Sequence, residues 1–138
     1  MNPQFAPQYV LLVDDEPSLV AVLKQVLEDA GYFVGSAENG RKGLELHQAG
    51  NWDVVISDRA MPEMSGEEMT KQIKRRQPDL PVILMTGCRE AIIQPEQYDA
   101  ILIKPFRFDA LLTCLSKTFE GHPIASSAGA LGFVAKNE

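Results

Sequence analysis

The chain has 138 residues, of which 45% are hydrophobic and 23% are charged, a composition typical of one compact globular domain that can bury a core. Its 19 acidic and 13 basic residues give a formal net charge of -6, which disfavours direct binding to DNA or RNA because nucleic acid phosphates repel an acidic surface. The two cysteines, Cys88 and Cys114, form no CxxC pair, which excludes a disulfide framework or a zinc site and fits a reducing compartment.

The first residues of the chain, MNPQFAPQ, contain neither the basic region nor the apolar stretch of a signal peptide. We predict that residues 1–8 are an N-terminal tail. No apolar run elsewhere approaches the roughly 18 residues that a membrane span needs, so we expect a cytoplasmic protein without a membrane partner.

Apolar runs and amphipathic stretches alternate along the first part of the chain. A strand is predicted over Tyr9–Val13 and a second over Tyr32–Ser36. A helix over Pro17–Ala30 separates them, since proline suits a first helical position and a glycine follows its end. Residues 40–49 form the next predicted helix, which Asn39 caps and another glycine ends.

The same alternation continues in the middle of the chain. A third strand is predicted over Asp53–Ser57 and a fourth over Pro81–Thr86. Between them Ser65 and Glu68 have the spacing of a capping box, which predicts a helix that runs to about Gln77.

The last part of the chain starts with a weak pattern. The stretch Ala91–Tyr98 has no clear helical period, and Pro95 interrupts any helix there. A fifth strand follows over Ala100–Ile103, and a last helix is predicted over Phe106–Phe119. Residues 120–138 are rich in Gly, Ala and Ser, so we interpret them as a linker or flexible tail.

Five strand–helix units in this order predict an α/β domain over residues 9–119, with a parallel sheet and helices on both of its faces. The strands are continuous apolar runs rather than alternating ones, as burial on both faces requires.

The polar residues of interest all follow the carboxyl ends of predicted strands. Asp14 and Asp15 follow the first strand, Asp58 follows the third, Thr86 ends the fourth and Lys104 follows the fifth. Because an open parallel sheet binds ligands in the crevice at those ends, we expect these side chains to share one site.

Three carboxylates in one crevice repel each other, at a cost on the order of 4 kcal/mol for a pair of charges 4 Å apart at intermediate dielectric. Protonation or a bound cation relieves this repulsion. Because the donors are hard oxygens without His or Cys, the sequence predicts Mg²⁺ or Mn²⁺ held by Asp14, Asp15 and Asp58.

A carboxylate can also act as a nucleophile and form an aspartyl-phosphate. In phosphoryl transfer the protein mainly positions the reacting groups and neutralises their charge. Lys104 would supply a positive charge, Thr86 a hydroxyl donor, and the backbone N–H groups near Arg59 and Ala60 further donors.

Four motifs resemble those of the response-regulator receiver family of two-component signalling. They are VDDEP (Val13–Pro17), SDRAMPEMSG (Ser57–Gly66), MTG (Met85–Gly87) and KPF (Lys104–Phe106), and the resemblance covers about Tyr9–Phe119. It implies a flavodoxin-like, doubly wound, five-stranded parallel sheet with the strand order 2-1-3-4-5.

The resemblance also implies a function. The chain would be a phosphoryl-accepting switch in a phosphorelay, phosphorylated on Asp58 in a Mg²⁺-dependent reaction by a partner histidine kinase or phosphotransfer protein. An effector domain or protein would receive the signal, and dimerisation is open. The chain would not be an enzyme in the usual sense, since only slow self-phosphorylation from small donors and self-dephosphorylation are expected.

Individual roles are carried over from the family residue by residue. Asp15 would bind the cation directly, Asp14 mostly through water, and the backbone carbonyl of Ala60 would complete the protein ligands. Thr86 would turn toward the phosphoryl group, Lys104 would pair with it, and Pro105 would follow a cis peptide bond.

Two departures from the family pattern concern how phosphorylation is read out. Ile101 stands where family members usually carry an aromatic residue or His, unless Tyr98 takes over that part. The distance from Thr86 to Lys104 is also a few residues shorter than usual, which predicts a short or irregular fourth helix.

These departures keep a second hypothesis open, in which the chain is a receiver-like interaction module that works without phosphorylation. A third class, the aspartate-nucleophile phosphatases, needs a nucleophile and an acid/base two residues apart. Asp14 and Asp15 are adjacent, which disfavours that class.

Overall fold

The computed structural model of the chain describes residues 8–120 and the backbone of residues 133–135. The strands are β1 (Tyr9–Val13), β2 (Phe33–Ala37), β3 (Val54–Asp58), β4 (Val82–Thr86), β5 (Ala100–Ile103) and β6 (Phe133–Ala135). The helices are α1 (Pro17–Asp29), α2 (Gly40–Ala49), α3 (Gly66–Arg76) and α4 (Phe108–Glu120). The predicted strands and helices are therefore confirmed, with boundaries that move by one or two residues.

The sheet has the order β2-β1-β3-β4-β5-β6, and its first five strands are parallel. This confirms the flavodoxin-like α/β fold and the predicted order 2-1-3-4-5. The structure adds one short strand, β6, which pairs antiparallel with β5 at the edge of the sheet.

The predicted segments at the two ends fall largely outside the described residues. Of the predicted tail 1–8 only residue 8 is described, and of the predicted linker 120–138 only residue 120 and the backbone of β6 are described. The domain boundaries thus stay a prediction. Within the part of the chain that is described, no helix combines the length and the apolar character needed to cross a membrane.

Both faces of the sheet are covered by helices. Leu23 of α1 and Leu111 of α4 pack in one core, and Leu44 of α2 and Ile73 of α3 pack in the other. Successive side chains of a strand point to opposite faces, so β1 sends Val10 and Leu12 into the first core and its other two buried residues into the second. This double burial is why the strands are continuous apolar runs.

Gly66 fixes how α3 meets the end of β3. A methyl group at this position would lie 2.0 Å from the backbone carbonyl oxygen of Asp58, a separation that no side chain tolerates. Ser65 caps the helix, since its hydroxyl accepts a hydrogen bond from the N–H of Glu68 at 3.1 Å. The loop between β3 and α3 is therefore anchored at its far end.

The connection from β4 to β5, residues 87–99, is called the β4–β5 segment below. It contains two single turns of 3₁₀ helix, Arg89–Ala91 and Pro95–Gln97, and no α-helix. Gln94 between them adopts a left-handed conformation with φ 53°. The prediction of a short or irregular fourth helix is confirmed, because Pro95 and the short connection leave room for isolated turns only.

Candidate functional site

Three carboxylates converge at the carboxyl ends of β1 and β3. Because β1 and β3 are parallel neighbours with Val13 opposite Ser57, the residues that follow in register are Asp14 and Asp58. One oxygen each of Asp14, Asp15 and Asp58 lies within 4.8 Å of the others. Asp14 and Asp58 are buried, with 1% and 8% of their surface exposed, whereas Asp15 is exposed.

Lys104 reaches into this cluster from the end of β5. Its Nζ donates to Oδ1 of Asp58 at 3.1 Å and to Oδ2 of Asp14 at 3.2 Å. Burial works against its charge, but the carboxylates of Asp14 and Asp58 outweigh burial and raise the pKa of Lys104. The ammonium group therefore stays protonated and bridges two strand ends.

The surroundings of the Asp58 carboxyl disfavour its charged form. Burial raises its pKa, and the neighbouring charge of Asp14 raises it further, although the hydrogen bond from Lys104 acts in the opposite direction. With three acidic groups and one ammonium, the crevice still has an excess of negative charge. A cation or a proton is therefore favoured there.

The backbone around Asp14 contributes one more fixed contact. Oδ1 of Asp14 accepts a hydrogen bond from the N–H of Glu16 at 2.9 Å, while the other oxygen faces Lys104. Both oxygens of Asp14 are thus engaged by the protein itself.

Thr86 ends β4, which lies between β3 and β5 in the sheet. Its hydroxyl accepts a hydrogen bond from the N–H of Cys88 at 3.0 Å and donates to the carbonyl of Cys88 at 3.2 Å. The hydroxyl is therefore engaged at the start of the β4–β5 segment, and it has to give up its bond to the Cys88 carbonyl before it can donate to another acceptor.

The loop after β3 carries the remaining predicted donors. The N–H of Arg59 donates to the carbonyl of Met85 at 2.8 Å, so the expectation that it serves a ligand is wrong for this conformation. Ala60 is exposed in the same loop, and the role of its carbonyl stays a prediction. The peptide bond between Lys104 and Pro105 is cis, as the family resemblance implies.

The donor set fits a hard divalent cation. The converging atoms are carboxylate oxygens, which Mg²⁺ and Mn²⁺ prefer, and no His or Cys belongs to the cluster. Asp15 is exposed, and its side chain has no hydrogen-bond partner among the residues that the structure describes, whereas both oxygens of Asp14 are engaged. The residues present therefore suit the metal that the sequence predicts.

The structure also contains a polar group that the sequence interpretation missed. Glu67 of α3 lies between Arg59 and the β4–β5 segment, and the buried Tyr98 lies beside them. No signal in the sequence identifies it, because the contact depends on the path of an irregular segment. Arg59 directly follows the acceptor candidate in the chain, and its side chain forms an ion pair with Glu67.

A family model described as "Response regulator receiver domain" matches residues 10–116 of the chain. Among curated proteins, the transcriptional regulatory protein GlrR of Escherichia coli is 36% identical over 118 residues, which cover 83% of this chain. The matched part is 27% of GlrR, so the chain spans about a quarter of the length of this relative.

Solved structures give the same result. The response regulator protein TrrA of Thermotoga maritima, in a complex with Mg²⁺ and BeF, has 35% sequence identity and a TM-score of 0.75. That comparison covers 80% of this chain and 97% of TrrA. A second structure, of histidine kinase ThkA in complex with TrrA, matches with 35% identity and a TM-score of 0.74 over the same shares of the two chains.

Proposed function

The chain belongs to the response regulator receiver domain family, whose members are phosphorylation switches in two-component signal transduction, and on that premise we propose that Asp58 accepts the phosphoryl group. The observation that supports this assignment best is the bridge from Lys104 to Asp58 and Asp14 inside the carboxylate cluster. Asp58 is the last residue of β3, which lies between β1 and β4 in the sheet.

The proposed reaction is a transfer to a carboxylate oxygen. An oxygen of Asp58 attacks the phosphorus of a phosphohistidine, the new O–P bond forms, and the P–N bond to the donor imidazole breaks. The nucleophile has to be ionised, and Lys104 favours that state because its hydrogen bond counters the effect of burial on the pKa of Asp58. After transfer, the ammonium is in place to pair with a phosphoryl oxygen.

Asp14, Asp15 and Asp58, with the carbonyl of Ala60, are proposed to hold Mg²⁺ or Mn²⁺. When bound, the cation supplies charge neutralisation for the phosphoryl oxygens and for the carboxylates. The same residues orient Asp58 without the cation, since Lys104 and the N–H of Glu16 fix Asp14 beside it.

We propose a histidine kinase or phosphotransfer protein as the donor, because TrrA binds a histidine kinase in the structure named above. The relatives named as transcriptional regulatory proteins are several times longer, which supports an effector domain or effector protein as the recipient of the signal. The chain is a switch rather than an enzyme in the usual sense. Slow self-phosphorylation, slow self-dephosphorylation and a cytoplasmic location are part of the proposal, which does not depend on whether the chain forms a dimer.

Intact-mass spectrometry after incubation with acetyl phosphate and Mg²⁺ tests the assignment. We expect the wild-type protein to gain one phosphoryl group, and the Asp58→Asn variant to gain none. The matched control is Asp79→Asn, which removes an exposed carboxylate far from the crevice and should be phosphorylated like the wild type. Phosphorylation of Asp58→Asn at the wild-type level would refute the proposal.

The phosphorylation-independent interaction module remains the second candidate, and one observation favours it. Ile101 is buried in the core at the position where the family usually has an aromatic residue, so no rotating aromatic ring is available there. The same mass measurement discriminates: a wild-type protein that gains no phosphoryl group would favour this candidate.

A further inference from the structure

A polar contact ties the β4–β5 segment to the start of α3. Oε2 of Glu67 accepts a hydrogen bond from the backbone N–H of Ile93 at 3.0 Å, and Oε1 lies 3.4 Å from Nε of Arg59. We call Arg59, Glu67 and the N–H of Ile93 the clasp. It joins the residue after Asp58 to the middle of the β4–β5 segment.

The clasp is sheltered and charged. The side chains of Arg59 and Glu67 are 25% and 16% exposed, so water screens their attraction only in part. The Nε of Arg59 is buried and has no hydrogen-bond partner among the described residues. The carboxylate of Glu67 is therefore its counter-charge, and Arg59 in turn holds that carboxylate in place.

Glu67 lies on a firmly anchored part of the backbone. It lies in the first turn of α3, where a negative charge is favoured by the helix dipole, and Ser65 caps that turn. Gly66 beside it is pressed against the carbonyl of Asp58. The clasp thus has a rigid side, formed by α3 and β3, and a movable side, formed by Ile93.

In the middle of the segment, Ile92 is half-buried against the second core, whereas its neighbour Ile93 is not held by apolar packing. The Ile93 side chain is 64% exposed, so burial of its apolar surface does not fix it. The following residue, Gln94, has the left-handed backbone conformation, which residues other than glycine adopt at some cost in free energy. Further along, Asp99 accepts from the N–H of Val82 and re-anchors the chain to the sheet.

The buried hydroxyl of Tyr98, near the end of the segment, is also affected by the charges of Glu67 and Arg59. Burial raises the pKa of Tyr98, and the negative charge of Glu67 raises it further, whereas Arg59 has the opposite effect. Gln97 donates a hydrogen bond to the same hydroxyl at 3.1 Å. The end of the segment therefore faces the same pair of charges as its middle.

The beginning of the segment is tied to the crevice. Thr86 holds Cys88 through two hydrogen bonds, and a ligand at Asp58 that recruits the Thr86 hydroxyl has to break at least the bond that this hydroxyl donates. The beginning of the segment is then held less firmly, and the clasp is a further contact that resists its movement.

We propose that the Arg59–Glu67 clasp holds the β4–β5 segment in the conformation of the unmodified protein and so sets the equilibrium between the two states of the switch. The proposal rests on the proposed phosphorylation of Asp58 for its effect on switching. Its structural half, that Glu67 holds the segment, is independent of phosphorylation. A weaker clasp makes the segment easier to move, and the protein then enters the phosphorylation-competent state more often.

Amide hydrogen exchange measured by NMR tests the structural half. In Glu67→Ala we expect the N–H of Ile93 to exchange about tenfold faster than in the wild type, because it loses a charged acceptor. Glu67→Gln keeps an acceptor oxygen but loses the attraction to Arg59, so a smaller increase is expected, and this variant serves if Glu67→Ala does not fold. The matched control, Glu68→Ala, removes an exposed carboxylate from the same helical turn and should leave Ile93 unchanged.

The rate of phosphorylation by acetyl phosphate tests the switching half. We expect Glu67→Ala to be phosphorylated about threefold faster or more than Glu68→Ala, with the same final stoichiometry. Unchanged exchange at Ile93 would overturn the clasp. Faster exchange with a phosphorylation rate equal to that of Glu68→Ala would overturn its role in switching. A wild-type protein that takes no phosphoryl group would refute the proposed function and the switching role together, while exchange at Ile93 would still decide whether Glu67 holds the segment.

Discussion

The crevice at the strand ends and the β4–β5 segment are neighbours, but they are held by different kinds of contact. The crevice is built on four parallel strands, and Lys104 bridges Asp58 and Asp14 across it. The segment has two 3₁₀ turns and is tied by two hydrogen bonds at Thr86 and by one at Glu67. The first region is suited to fixed chemistry and the second to movement.

This difference explains how the chain can keep the charge arrangement of a receiver domain while it departs from the family at Ile101 and in its fourth helix. The crevice depends on backbone positions of the sheet, which burial on both faces stabilises. The segment contributes few residues to the core, with Tyr98 as its largest fully buried side chain. Its length and conformation can therefore change without a change in the crevice.

Two glycine substitutions should show the difference in packing between the crevice and the segment most clearly. Gly66→Ala places a methyl group against the carbonyl of Asp58, and we expect it to lower the free energy of unfolding by about 3 kcal/mol. Gly87→Ala, at the start of the segment, meets no atom within 4 Å and should change it by less than about 0.5 kcal/mol. Urea denaturation of both variants measures this. Equal losses would show that the two regions are packed alike.

Removal of the bridging ammonium should have the next largest effect. Lys104→Met leaves Asp14 and Asp58 buried together without a counter-charge, and we expect a loss of about 2 kcal/mol in metal-free buffer. Lys117→Met removes an exposed lysine from α4 and is the control. The same denaturation assay applies, and a Lys104→Met protein as stable as the control would mean that the bridge contributes nothing.

A change at Asp58 should have the opposite sign. Because burial and Asp14 raise the pKa of Asp58, its charge is unfavourable in the folded protein, and we expect Asp58→Asn to be more stable than the wild type in metal-free buffer. Saturating Mg²⁺ should stabilise the wild type more than this variant, since the variant lacks one of the three carboxylates. Thermal denaturation with and without Mg²⁺ measures both effects, and a variant less stable than the wild type in metal-free buffer would contradict the first.

The two cysteines should differ in how they affect stability at high pH, because Cys114 is buried in the core and Cys88 is exposed in the segment. Burial raises the pKa of Cys114 from 9.0 to about 12, so its thiol stays protonated in the folded protein while the unfolded chain ionises above pH 9. The folded state then binds more protons, and stability falls as pH rises between 9 and 12, by about 1 kcal/mol at pH 10. Cys114→Ala should lack this part of the decline, whereas Cys88→Ala, which changes an exposed residue of the segment, should keep it. The free energy of unfolding of both variants is measured from pH 8 to 10. If it falls equally with pH in Cys114→Ala and in Cys88→Ala, Cys114 is not the source of this decline.

The sequence predicts the two regions unequally, for physical reasons. Continuous apolar runs identify the strands, and the residues that follow them, such as Asp14 and Asp58, then meet because parallel strands end at one edge. The clasp is different, because Glu67 and Ile93 meet only through the path of an irregular segment that no periodic pattern describes. The hydrogen bonds of Thr86 to Cys88 were missed for the same reason.

The most direct test of the account is a two-dimensional ¹H–¹⁵N NMR titration of the wild-type protein with Mg²⁺ and beryllofluoride, a mimic of the phosphoryl group. We predict large shifts at the amides that follow β1, β3 and β4, together with shifts through residues 87–99 and at Glu67. If the crevice amides shift and the segment amides do not, the segment is not the moving part. If the amides near Asp58 do not respond at all, the crevice is not the acceptor site.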